Sequence, residues 1–212
     1  DEVQVIQSIE RIKKDLEARK NDILKAGDLY ACSFGRHLFQ PLFHVRKGGE
    51  ITILPVVLNE SEYQFVTDLK DWYDRNRMAL EGDGMEIFLL RNMSRGKGVG
   101  FFEAGNFYPD FILWVLTGGK QFVTFLDPHG LLHGEGAASE KILLHKRIKG
   151  IEKRLNDPNV VLNSFILSWT PYPRLKWGKT QEELEEQHVL FMTDDRDGYL
   201  DKLFDQLATG VV

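Results

Sequence analysis

The sequence predicts an α/β fold in which helices cover a mixed sheet, and three observations predict it. From Asn59 onward, segments with apolar residues at helical spacing alternate with apolar runs of strand length. Two of those runs are joined by Gly118-Gly119, the mark of a tight hairpin. The chain has 212 residues, 42% apolar and 28% charged, enough for one good-sized core. That composition excludes a disordered chain, a collagen-like fibre and a disulfide-stapled mini-protein.

Taken in order, residues 3–25 read as a helix, with Val5, Ile9, Ile12 and Leu16 at helical spacing and Gly27 as its stop. Leu38 to Val45 and Ile51 to Val57 read as short strands around Lys47-Gly48-Gly49. Residues 1–57 thus form a helical and β extension, and 58–212 the main domain. Asn59-Glu60-Ser61-Glu62 suits a helix start, with Asn59 as N-cap and acids in the first turn. Phe65, Val66, Leu69 and Trp72 give that helix its apolar stripe, ending near Asn76 to Leu80. Strands are expected at Glu86–Arg91, from Gly100 to Glu103, over Phe107–Leu116 and over Gln121–Leu126. A basic amphipathic helix follows over Ser139–Leu155, with Ile142, Leu143, Ile148, Ile151 and Leu155 as its buried candidates. Strands at Val160–Trp169 and Val189–Met192 and a helix over Asp197–Leu207 complete the order.

Net charge is −5, which argues against a wholly basic nucleic-acid binder. The charge is uneven, however. Lys141 to Arg154 carries six basic residues against one acid, whereas Gln181 to Asp205 carries nine acids against Arg196 and Lys202. A local basic groove therefore stays open as a reading. The single cysteine, Cys32, cannot form an internal bridge, and this fits a reducing, cytoplasmic setting. No apolar stretch is long enough to span a bilayer and no signal-peptide pattern opens the chain, so no membrane partner is expected. The chain opens on Asp1 rather than Met, which reads as a piece of something longer.

The chemistry concentrates between Gly100 and Gly130. Asp110 follows Pro109 at the start of one apolar strand, and Asp127 ends the next. A short connection makes the two strands antiparallel, so the start of one lies beside the end of the other. An acid in an apolar strand is costly unless it is paired or metal-bound. Two carboxylates facing one point suit a hard divalent cation such as Mg²⁺. Such an ion can polarise a phosphodiester and acidify a bound water. The plainer account is that Pro-Asp and Asp-Pro-His-Gly are both turn-like.

Tyr108-Pro109-Asp110-Phe111, an apolar strand, a Gly-Gly turn, a second apolar strand and Asp127-Pro128-His129-Gly130 together resemble the PD-(D/E)XK nuclease superfamily. The stretch from Pro55 to about Gly130 is similar, more narrowly, to the nuclease domain of type III-like restriction subunits. The words carrying this are Leu58-Asn59-Glu60-Ser61-Glu62, Phe65-Val66-Thr67-Asp68-Leu69, Leu89-Leu90-Arg91-Asn92 and Gly96-Lys97-Gly98-Val99-Gly100-Phe101-Phe102. The resemblance implies a restriction endonuclease-like mixed sheet flanked by helices. It implies a Mg²⁺-dependent DNA endonuclease, with Mn²⁺ able to substitute, serving in antiviral restriction. DNA, a helicase or ATPase domain or subunit, and a second copy of the chain are the implied partners. Asp110 and Asp127 would hold the metal, helped by Glu62 or, less so, Glu60, and by Glu103. The third motif position holds His129 where the family has Lys. A histidine can accept a proton from water or, protonated, offset charge. The same departure supports the alternative, a catalytically inactive nuclease-like domain that binds DNA or a partner.

Arg91-Asn92-Met93-Ser94-Arg95-Gly96-Lys97-Gly98 is the candidate phosphate loop, because cations beside glycines let the backbone approach a phosphate. Arg91, Arg95 and Lys97 are its DNA-binding candidates. A solvated turn looks the same, and the order of residues is not that of a P-loop. Asp127, His129 and His133 suggest a zinc cluster only weakly, since no further ligand stands at fixed spacing. His37, His44, His145 and His188 stand alone and read as structural. Lys120 lies at the far end of the hairpin from both acids. Trp169 to Trp177, with its prolines, reads as an exposed aromatic loop.

Overall fold

A computed structural model describes the backbone of residues 23–26, 29–32 and 42–45, and residues 57–92, 107–132 and 136–209. Three short strands, β1 (Ile23–Ala26), β2 (Leu29–Cys32) and β3 (Leu42–Val45), form an antiparallel sheet in sequence order. The expected N-terminal helix is corrected at its end: residues 23 to 25 belong to a strand. Ile23 to Ala26 pair antiparallel with Leu29 to Cys32, and this pairing overrides the fading helical stripe. Residues 3–22 and 51–56 lie outside the described residues, and Val57 is not in a strand.

The main sheet has five strands in the order β4 (Glu86–Arg91), β5 (Phe111–Thr117), β6 (Lys120–His129), β7 (Val160–Ser168) and β8 (Val189–Phe191). The pairs β4–β5 and β5–β6 are antiparallel, and β6–β7 and β7–β8 parallel. This is the mixed α/β sheet that the sequence predicts. Gly118 and Gly119, at φ 57° and 77°, make the two-residue turn between β5 and β6, where both central residues need positive φ.

Helix α1 (Glu60–Gly82) starts in a capping box. The Asn59 side chain accepts from the Glu62 N–H at 3.0 Å, and a Glu62 oxygen accepts from the Asn59 N–H at 2.9 Å. Helix α2 (Glu140–Leu155) connects β6 to β7 and ends on Asn156 at φ 52°. A short helix α3 (Gln181–Glu185) and helix α4 (Tyr199–Thr209) complete the domain.

Strand alternation sorts the core into two layers. Phe111, Leu113, Val115, Phe122 and Leu126 pack with Phe65, Val66, Leu69 and Trp72 of α1 and with Tyr199, Leu200 and Leu203 of α4. Ile112, Val123, Phe125 and Leu162 face Leu144 and Ile148 of α2 instead. Leu144, not Leu143, is fully buried on α2, and Leu155, the last residue of the helix, stays exposed. Each fully buried Phe or Leu contributes roughly 1.5–3 kcal/mol of transfer free energy. Among the described residues, no helix is long and apolar enough to cross a membrane.

Candidate active site

Register brings the two acids together. Phe111 pairs with Leu126 and Thr117 with Lys120, so one further step sets Asp110 opposite Asp127. Cross-strand neighbours on one face lie within side-chain reach. The two carboxyl groups here share a hydrogen bond. A second step of the same register sets Pro109 against Pro128. Neither has an N–H, so the β5–β6 ladder ends there. The two proline carbonyls left over are satisfied from the side. Ser61 Oγ donates to the Pro128 carbonyl at 2.7 Å, and Asn92 Nδ2 to the Pro109 carbonyl at 2.7 Å. These bonds fix the start of α1 and the end of β4 against the strand ends that carry the acids.

Asp127 is 4% exposed and sits on the α2 face of β6 with Val123 and Phe125. Its Oδ2 takes two donors, His129 Nδ1 at 2.9 Å and Lys141 Nζ at 3.2 Å. His129 lies two residues along the strand, hence on the same face. Lys141 reaches in from the first turn of α2, its ammonium 4.9 Å from the centre of the Phe107 ring. On the other side, Arg91 joins Glu62 and Asp110: Nη2 is 2.8 Å from Glu62 Oε1 and Nη1 is 3.6 Å from Asp110 Oδ1. Its guanidinium also lies 4.8 Å from the centre of the Phe111 ring.

The electrostatics follow from this arrangement. Burial pushes the Asp110 carboxyl up, and the neighbouring Asp127 and Glu62 push it further, to about 8, against the opposing pull of Arg91. Burial would also raise Asp127, but the hydrogen bond and charge of His129, then Lys141, outweigh it and hold Asp127 well below the usual carboxylate range. The pair therefore titrates as a unit and keeps one proton at neutral pH.

Of the residues picked from sequence, Asp110, Asp127, His129, Glu62 and Arg91 converge. Glu62 has both oxygens engaged, by Asn59 and by Arg91. Arg91 is committed to two carboxyls rather than standing in an open loop. Glu60 is exposed at the helix start, and Lys120 closes the far end of the hairpin opposite Thr117. Glu103, Arg95, Lys97 and His133 lie outside the described residues. Lys141 was not legible as a site residue. The signal that points to it is its place: a lysine in the first turn of a helix opposes the macrodipole, so its reason lies off the helix.

Among the described residues, no group of three or more acidic, histidine or cysteine side chains is arranged so as to hold a metal ion. Two carboxyls, one of them kept protonated by burial and by its anionic neighbours, still fit a hard divalent cation that keeps most of its own waters. Compared with protein-family models, with curated proteins and with solved structures, the chain matches none of them.

Proposed function

We propose that the chain is a Mg²⁺-dependent DNA endonuclease domain of restriction endonuclease-like fold, acting in a larger restriction system with a helicase partner. The observation that carries the reading is the hydrogen-bonded Asp110–Asp127 pair at the open end of the β5–β6 hairpin. Asp110 and Asp127 would hold Mg²⁺ or Mn²⁺, which supplies charge neutralisation at the scissile phosphate and a more acidic water. The remaining work falls to the chain's own side chains. Asp127 fixes the His129 ring through Nδ1, which leaves Nε2 to take a proton from the attacking water. Lys141 offsets the anionic charge beside Asp127, in the neighbourhood where the resembled family carries its motif lysine. Arg91 holds Asp110 and Glu62 in place.

A second reading, a nuclease-shaped binding module, is favoured by a different observation. The acids Glu62, Asp110 and Asp127 are met by Arg91, His129 and Lys141, so the cluster can stand as a self-neutralised structural network. Incubation of the pure protein with supercoiled plasmid and Mg²⁺ or Mn²⁺ separates the two. Nicking or linearisation that Asp110→Asn loses supports the nuclease. An intact plasmid, or one cut equally by Asp110→Asn, leaves the binding module.

A further inference from the structure

We propose that the segment from Trp169 to Lys179 is a platform for single-stranded nucleic acid at the rim of the carboxylate site. Trp169 stacks on an unpaired base, and Arg174, Lys176 and Lys179 meet the phosphates that follow. The choice of a nucleic acid as the polymer rests on the nuclease reading; the platform itself rests on the following observations.

The segment Trp-Thr-Pro-Tyr-Pro-Arg-Leu-Lys-Trp-Gly-Lys-Thr interleaves three aromatic residues with three cations and has no acid, in a chain of net charge −5. That pairing of cations with flat rings is what gripping a single strand requires. The three aromatics have different fates. Tyr172 and Trp177 pack inward beside Phe191 and Leu184, the Tyr172 ring meeting Phe191 edge-on at 5.7 Å. Trp169 remains 39% exposed, one of four large apolar side chains left open among the described residues. Arg174 and Lys176 are exposed, and none of the three cations forms an ion pair with a described residue.

Trp169 is also held firmly. β7 ends at Ser168, which pairs with His129, and the Trp169 N–H donates to the His129 carbonyl at 2.9 Å. The Ser168 hydroxyl donates to the Thr170 carbonyl at 2.7 Å, and Thr170 Oγ1 accepts from the Leu131 N–H at 2.8 Å. The Tyr172 hydroxyl closes the loop by donating to the Lys179 carbonyl at 3.0 Å. The backbone of Trp169 is therefore anchored one residue beyond the strand position that carries His129. The faces of a base inside a duplex are covered by its neighbours, so an exposed indole can stack only on a base that is unpaired or at a frayed end. Stacking of this kind tolerates any base, which predicts a preference for strandedness rather than for sequence.

The test is fluorescence anisotropy of a labelled oligothymidine and of a blunt duplex of equal length, in EDTA, with the whole chain. The single strand should bind more tightly than the duplex. Trp169→Leu, which stays apolar but has no ring, should weaken the single strand roughly tenfold, and Trp169→Phe should retain most of the binding. Removing two cations in Arg174→Ala/Lys176→Ala should flatten the slope of log K against log salt by about 1.4. Circular dichroism of each variant checks the fold, and the exposed positions should leave it unchanged. Equal binding by Trp169→Leu and wild type, tighter binding of the duplex, or no binding of either would overturn the platform. Single-strand binding that depends on Trp169, with no Asp110-dependent cleavage, would keep the platform and remove the nuclease. Cleavage lost in Asp110→Asn, with single-strand binding and cutting indifferent to Trp169, would do the reverse.

Discussion

Two regions of this domain bury aspartates, and they do it differently. Asp68, on α1, is 7% exposed and surrounded by donors: Gln64 Nε2 at 2.7 Å, Arg196 Nε at 3.2 Å and the Tyr199 hydroxyl at 3.2 Å. Burial raises its pKa while those partners pull it back. It links α1 to the start of α4, and every contact is complementary. Asp110 and Asp127 instead face each other, with Glu62 nearby, and their charges add to the effect of burial so that one of the pair keeps a proton. A fold that needed only a polar link would use the first arrangement. Two like acids at a strand end impose a cost that a simple polar link does not, and such costs concentrate at functional sites.

The widest separation between the two regions is expected in catalysis. Asp110→Asn should lower metal-dependent plasmid cleavage by about 10³-fold or more, through loss of an anionic oxygen from the metal site. Its thermal midpoint should hold, because Asn imitates the protonated acid already present. Asp68→Asn should leave cleavage per folded molecule unchanged. Equal losses in both variants would collapse the distinction. Next in size is Lys141→Met, which keeps the stem over Phe107 but removes the charge from Asp127. Cleavage should fall by roughly 10–100-fold, as for a hydrogen-bonding partner of a metal-holding carboxylate, with little change in urea midpoint, since the side chain is 45% exposed. Activity at the wild-type level would return Lys141 to the surface.

The structural arrangement has its own test. Asp68→Ala strands the buried Tyr199 hydroxyl and the Gln64 amide, and should cost about 1–3 kcal/mol in urea unfolding. Arg196 adds little to that figure because it is largely solvated. A neutral result would mean that Asp68 and its partners are replaceable by water.

How much of this was legible follows from particular residues. The Asn59 cap of α1, the apolar runs of β4 to β7 and the Gly118-Gly119 turn are local signals, and the structure keeps them. Boundaries moved where a neighbour decided them. β6 runs on to His129, past its expected end at Leu126, because β7 continues to pair with it after β5 has stopped. Pro128 survives in that strand because its missing N–H faces the side where Pro109 already ends the ladder. The five-residue α3 is too short for a periodicity to emerge. At the site, the two acids could be placed by counting along a hairpin, since register is a local property. The ties from Ser61, Asn92 and Lys141 could not, because each crosses from another element and depends on how helices and sheet pack.

The smallest effect extends the same comparison to imidazoles, where burial suppresses a charge outright. His188 stacks on Phe165 with ring centres 4.2 Å apart, lies 5.0 Å from the His145 ring and has Nδ1 3.0 Å from the Ser164 carbonyl. Burial, then the positive charge of His145 and Lys149, outweigh the Ser164 bond and lower its pKa to about 4 from the ordinary 6.5; burial lowers His145 too. Between those two pH values the unfolded chain binds a proton that the folded chain refuses. The stability that neutral His188 contributes is therefore complete above about pH 6.5 and is lost as pH falls toward 4. The thermal midpoint should drop across that interval. His188→Asn, chosen because Asn tolerates the left-handed φ of 59° found there, should flatten the drop while leaving the neutral-pH midpoint within a few degrees. An unchanged slope in His188→Asn would assign the acid sensitivity elsewhere.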